Sequence, residues 1–185
     1  LLPGRLTYWK GQKIFIEALK LLYEKSDIPP FEAIILGSDQ GRNVYKKKLI
    51  DLVQQHRLSK VIKFIDHCEE MPIAYGITNL VCSCSYEPEA FGRVSVEAQS
   101  MQIPIIASNI GGSKETIIKD KTGYLYKNKD PVDLANTIAV LMHKKYNLLK
   151  SIGIEGRKNV LKKFDVDKMC QTTFTEYKKL IGLPR

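Results

Sequence analysis

Two carboxylates, two cations and a handful of glycines carry the residue types that could do chemistry. Residues 85–97 read Ser85-Tyr86-Glu87-Pro88-Glu89-Ala90-Phe91-Gly92-Arg93-Val94-Ser95-Val96-Glu97. An apolar run ends at Cys84, a polar loop follows, and a helix is expected to start near Gly92. Backbone N–H groups at a helix start lack partners and lie at the positive end of its dipole. With no side chain at Gly92, a phosphate could approach that backbone closely. A glycine in such a loop is common and says little alone. Glu89 falls in the loop and Glu97 about a turn and a half into the helix, so both can face one crevice without touching. A carboxylate accepts hydrogen bonds from neighbouring hydroxyls, which suits a ribose or a sugar. The plain alternative is a loop charge and a surface helix charge. The apolar Val94, Val96 and Ala98 around Glu97 count against it.

Arg5 and Lys10 lie in Gly4-Arg5-Leu6-Thr7-Tyr8-Trp9-Lys10-Gly11. A planar guanidinium fork and an ammonium point charge suit a diphosphate. In a chain with 29 Lys and Arg, two solvated cations are an equally ordinary reading. Gly111 and Gly112 precede Ser113-Lys114-Glu115 and allow close backbone approach at another helix start. Tight packing of helix on sheet explains that pair as well.

The elements that must position these groups follow from hydrophobic periodicity. Apolar runs at 31–36, 61–65, 79–84, 104–107 and 123–126 predict strands. Residues 12–25 carry Ile14, Ala18, Leu19 and Leu22 on one helical face, and 45–56 carry Leu49, Leu52 and Val53. Val94, Ala98 and Met101 mark a third helix, and Leu134, Ile138 and Leu141 a later one. Near-continuous apolar strands alternating with helices imply an α/β, Rossmann-like, doubly wound parallel sheet. Ligands then bind beyond the carboxyl ends of the strands, in the loops after Leu6, Leu36, Ile65, Cys84 and Ala107. Residues 1–126 form the sheet with its crossovers, and 127–185 read as helical, all one domain.

The formal net charge of +9 favours anionic partners. The clusters at Lys46-Lys47-Lys48, Lys144-Lys145 and Lys162-Lys163 read as solvated helix faces, and the charge also admits a peripheral membrane contact. No aromatic-basic signature points to nucleic acid. No apolar run reaches the ~20 residues of a membrane-spanning helix. Cys68, Cys82, Cys84 and Cys170 show no zinc spacing and read as buried free thiols in a reducing cytoplasm, with Cys82 and Cys84 on one strand face. The opening Leu1-Leu2-Pro3 reads as a chain entered mid-strand, with upstream sequence expected.

The order Gly-Arg-Leu…Lys-Gly, a strand ending in Gly37, Ser-x3-Glu-x2-Gly-x4-Glu-Ala at 85–98, Gly-Gly-x2-Glu, and Thr122-Gly123-Tyr124-Leu125 resembles the C-terminal, donor-binding domain of retaining GT-B "group 1" glycosyltransferases. The resemblance spans nearly the whole chain, and Phe164, Asp165 and Tyr177 resemble the closing helices.

That resemblance implies a hexosyl-type transferase taking a UDP-, GDP- or ADP-sugar. Arg5 and Lys10 would bind the diphosphate and stabilise it as leaving group, and Glu89 would contact the transferred sugar. The backbone at Phe91, Gly92 and Arg93 would meet the phosphates, and Glu97 would hold the ribose. Gly37, Gly111 and Gly112 would line the donor, and Asp66 would lie near the base. No metal or other cofactor is expected. The acceptor-binding N-terminal domain is absent, so the chain alone is expected to bind nucleotide and transfer sugar negligibly. Lipopolysaccharide or other cell-envelope synthesis, in the cytoplasm or at the inner membrane face, is the implied setting. A non-catalytic nucleotide-sugar module working with a partner chain is the alternative from another class; a GT-B epimerase or phosphorylase is a third. At Asp66 the family commonly has glycine, Trp9 stands where a polar residue or proline is usual, and Pro3 is unexpected in a first strand.

Overall fold

A computed structural model describes residues 1–182. Strands β1 (Leu2–Pro3), β2 (Ala33–Leu36) and β3 (Ile62–Ile65) form one parallel set. Strands β4 (Val81–Ser83), β5 (Ile105–Ser108) and β6 (Tyr124–Tyr126) form another. The sets meet where the Leu1 nitrogen donates to the Leu80 carbonyl and the Cys82 N–H to the Leu1 carbonyl, both at 2.9 Å. The strand order is therefore β3-β2-β1-β4-β5-β6, with the order reversing between β1 and β4. Pro3 stops this junction from extending. Donors along a strand alternate sides, so residue 3 would supply the next bond toward β4, and proline has no N–H to give.

Alternation along the strands sorts side chains into two cores. Cys82, Cys84, Ile106 and Tyr126 face one side, packed with α1 (Gln12–Tyr23), α2 (Asn43–Gln55) and α6 (Pro131–Met142). Val81, Ile105 and Ala107 face the other, with Tyr75 of α3 (Met71–Gly76) and Ala98 of α4 (Arg93–Ser100). On the first side Phe15, Leu19 and Leu22 of α1 pack with Leu134, Ile138 and Leu141 of α6. Each such burial contributes about 1.5–3 kcal/mol and fixes α1, hence the loop that leads into it.

The remaining α-helices are the short α5 (Ser113–Thr116), α7 (Tyr146–Lys163) and α8 (Val166–Leu180), so among the described residues all elements after Tyr126 are helical. Asn159 on α7 is buried and donates to Gln99 Oε1 of α4 at 3.2 Å and to the Thr116 carbonyl at 3.0 Å. That bridge anchors α4 from behind. The predicted elements all form, with ends trimmed by a few residues; the first strand stops at Pro3 rather than Leu6. Of the thiols expected to be buried, Cys82 and Cys84 are. Cys68 is half-buried and Cys170 exposed, because no residue of α8 is buried. No described helix is long and apolar enough to cross a membrane.

Candidate active-site cleft

The loop after β1 and the loop after β4 flank the point where strand order reverses. They are tied together directly. The Tyr86 N–H donates to the Trp9 carbonyl at 2.7 Å, and the Tyr8 and Tyr86 rings meet edge-to-face at 5.1 Å. This brings Lys10 to Glu89, 79 residues away, with Nζ 2.8 Å from Oε1. The Ser85 hydroxyl, in a buried residue, donates to the same oxygen. Two donors on Oε1 fix the carboxylate, while Oε2 has no hydrogen-bond partner among the described residues. The pair is largely shielded, with Lys10 and Glu89 side chains 15% and 18% exposed. In such surroundings a charge-assisted bond outlasts its surface counterpart.

Gly92 adopts φ +79°, a left-handed conformation that starts α4 without a side-chain cap. Side-chain caps occur at two α-helix starts among the described residues. Asp130 caps α6 through the Val132 and Asp133 N–H groups, and Asp165 caps α8. The start of α4, like those of α1, α2, α3, α5 and α7, has no side-chain cap, so its first amides have no side-chain acceptor. Glu97 lies a turn inside α4. Its Oε2 accepts from the Tyr75 hydroxyl at 2.8 Å and its Oε1 from Arg93 Nη2 at 3.1 Å. Tyr75 is only 2% exposed. Burial first, and then the Glu97 carboxylate, push its ionisation far above the ordinary tyrosine value, so it remains a donor.

The other expected site residues fall at the same end of the sheet with different surroundings. Arg5 is exposed, and the buried Gln12 holds its carbonyl through Nε2 at 2.9 Å. Gly37 is needed for a backbone crossing: a Cβ there would come within 2.1 Å of the Gly4 carbonyl oxygen. Gly111 and Gly112 pack against the loop before α4. A Cβ on Gly112 would lie 2.5 Å from Phe91 backbone atoms, and the Gly112 N–H donates to the Glu89 carbonyl at 2.8 Å. Their absent side chains thus set the height of the Glu89–Gly92 loop. Phe91 is partly exposed and meets Phe164 edge-to-face at 5.5 Å. Asp66 is exposed and ion-paired with Lys46 at 2.8 Å. Among the described residues no three His, Cys, Asp or Glu cluster as metal ligands do.

Sequence reasoning gave no task to Ser85 or Tyr75. Ser85 stands in the motif itself. Tyr75 lies 22 residues from Glu97, and no local spacing links them.

A doubly wound sheet with cations, a fixed carboxylate and an uncapped helix start at its reversal point defines a Rossmann-like domain of the GT-B kind. The chain belongs to the family described as glycosyl transferases group 1, whose model matches residues 1–159. It is 30% identical over 141 residues to a D-inositol 3-phosphate glycosyltransferase of Corynebacterium efficiens, covering 75% of this chain and 33% of that protein. It is 27% identical to the capsular polysaccharide biosynthesis glycosyltransferase CapM of Staphylococcus aureus, covering 87% of this chain and 40% of CapM. The chain thus spans about a third of the length of the first curated relatives. The Anabaena protein HepE, solved with UDP and glucose, superposes with a TM-score of 0.87 at 28% identity, over 96% of this chain and 47% of HepE. The C-terminal domain of the group 1 protein LpcC of Francisella tularensis gives 0.78 at 30% identity, over 88% of this chain and 84% of that one.

Proposed function

We propose that this chain is the donor-binding half of a retaining hexosyl transferase that uses a nucleoside-diphosphate sugar. The observation that carries the reading is the convergence of Lys10, Glu89 and Ser85 beside the uncapped start of α4, with Glu97 held one turn behind by Tyr75. Arg5, Lys10 and the amides at Phe91, Gly92 and Arg93 bind the diphosphate, without a metal. Glu89 accepts hydrogen bonds from the sugar, Glu97 from the ribose, and Asp66 lies toward the base.

In the reaction the bond from anomeric carbon to diphosphate oxygen breaks. Positive charge develops on the sugar and negative charge on the leaving diphosphate, where preorganised cations and helix-end amides favour the transition state. The acceptor hydroxyl bonds to the anomeric carbon on the face the diphosphate leaves, and its proton passes to that diphosphate.

UDP is the first nucleotide to test, since HepE carries it. The capsule-related name of CapM supports a cell-envelope glycan or lipid as acceptor, with the enzyme at the inner membrane face. The acceptor side belongs to a further domain, so this chain alone binds nucleotide and transfers sugar negligibly.

Calorimetry with UDP, GDP and ADP on the chain and its Glu97→Ala variant tests the reading. One diphosphate should bind, and the variant should bind it at least tenfold more weakly. No binding by any of the three, or equal affinity in the variant, refutes it.

A further inference from the structure

We infer that the open cleft between the β1–α1 loop and the start of α2 binds an anionic pyranose. The cleft has a volume of about 760 Å³ and is lined by Thr7, Tyr8, Trp9, Arg42, Tyr45 and Lys48 among others. Three aromatic rings offer flat apolar faces of the kind that sugar C–H groups cover. Two cations offer the charge, and no carboxylate lines the cleft.

The cations are free for this. Arg42 donates only to neutral acceptors, the Asp39 carbonyl at 3.2 Å and Gln40 Oε1 at 3.0 Å. In the run Lys46-Lys47-Lys48, Lys46 pairs with Asp66 and Lys47 with Asp51. Lys48, the one facing the cleft, has no carboxylate within 4.0 Å among the described residues. Thr7 also lines the cleft and is only 7% exposed.

The walls are held from behind. Buried Gln12 donates to the Arg5 carbonyl and accepts from the Tyr45 hydroxyl at 3.3 Å, joining α1, α2 and the loop. Trp9 is the partition with the neighbouring site. Lys10 Nζ sits 4.5 Å from the Trp9 ring centre and 2.8 Å from Glu89. A ligand stacked on Trp9 is thus one ammonium away from the sugar-contacting carboxylate. That it is the charged part of an acceptor rests on the glycosyltransferase reading; the binding itself does not.

Trp9 is the sole tryptophan, so its fluorescence reports on this cleft. The chain is titrated with glucose 6-phosphate, glucuronate, glucose and inorganic phosphate, without and with saturating UDP. At least one charged sugar should give a saturable change that UDP does not abolish, with glucose and phosphate at least tenfold weaker. Which charged sugar responds tells a phosphate ligand from a carboxylate one. Arg42→Ala with Lys48→Ala, both at exposed positions, should weaken that response at least tenfold while UDP binding holds. Tyr8→Ala should weaken it as well. No saturable response to either charged sugar, equal binding of glucose, displacement by UDP, or an unaffected double variant overturns the inference. Each of those outcomes with UDP binding intact leaves the proposed function standing, whereas loss of UDP binding by the unaltered chain refutes that function separately.

Discussion

The Tyr75 hydroxyl donates to Glu97 Oε2 across 2.8 Å, linking α3 to α4 on one side of the sheet. Glu97 is only one-third exposed, and its other oxygen is held by Arg93. The carboxylate proposed to hold the ribose is therefore aimed by a buried tyrosine. Tyr75→Phe keeps the ring that fills the core and removes only the donor. A hydrogen bond to a charged group contributes about 1.5–3 kcal/mol, so UDP affinity should drop roughly tenfold or more through misplacement of Glu97. Calorimetry gives the affinity and circular dichroism the fold. Unchanged affinity in a folded variant would remove Tyr75 from the site.

Arg5 is exposed, so truncating it leaves no hole. Arg5→Ala should weaken UDP binding about tenfold, a loss of about 1.4 kcal/mol, and leave uridine binding unchanged. Equal losses for both ligands would contradict a diphosphate role.

Glu89 should separate sugar from nucleotide. In Glu89→Gln the side chain stays the same length, but the charge that Lys10 pairs with is gone. UDP should bind at least as well as before, because Lys10 is released to the phosphates. UDP-glucose should lose whatever advantage it holds over UDP. A drop in UDP affinity would argue that Glu89 only supports the loop.

Gly112→Ala tests whether the turn before α5 sets the height of the Glu89–Gly92 loop, proposed to meet the phosphates. The new Cβ would meet Phe91 backbone 2.5 Å away, and backbone cannot rotate aside. Overpacking of this kind costs about 1–3 kcal/mol, read as an earlier denaturation midpoint, with weaker UDP binding alongside. A variant as stable as the parent would show that the loop has slack.

The thiols should divide two against two. Burial pushes Cys82 up to about 11 and Cys84 well above its ordinary value. At pH 8 a thiol at 11 is about one part in a thousand thiolate, the reactive form. Native alkylation followed by mass spectrometry should therefore label Cys170 and Cys68 and spare Cys82 and Cys84 until the protein is unfolded.

The sequence by itself determined the kind of fold and the loops that end its strands. Period-two and period-3.6 patterns mark strands and helices because a side chain's direction depends on its own backbone alone. The loops that end those strands could be named for the same reason. The linear pattern of Glu89, Gly92 and Glu97 was legible because one strand-loop-helix unit holds all three. The tertiary structure decided which distant groups meet. Lys10 pairs with Glu89 across 79 residues, and Tyr75 reaches Glu97 from another helix. The first contact depends on β1 and β4 becoming neighbours and the second on α3 and α4 packing on one side of the sheet, which no local spacing encodes. The glycines show the same division. Gly37, Gly111 and Gly112 are as visible in the sequence as Gly92, and for Gly111 and Gly112 the sequence leaves donor approach and helix-on-sheet packing equally open. Packing separates them: Gly92 and Gly111 both take a left-handed backbone, but a Cβ on Gly92 would meet nothing closer than 3.7 Å, while Gly37, Gly111 and Gly112 let one loop's backbone pass against another's.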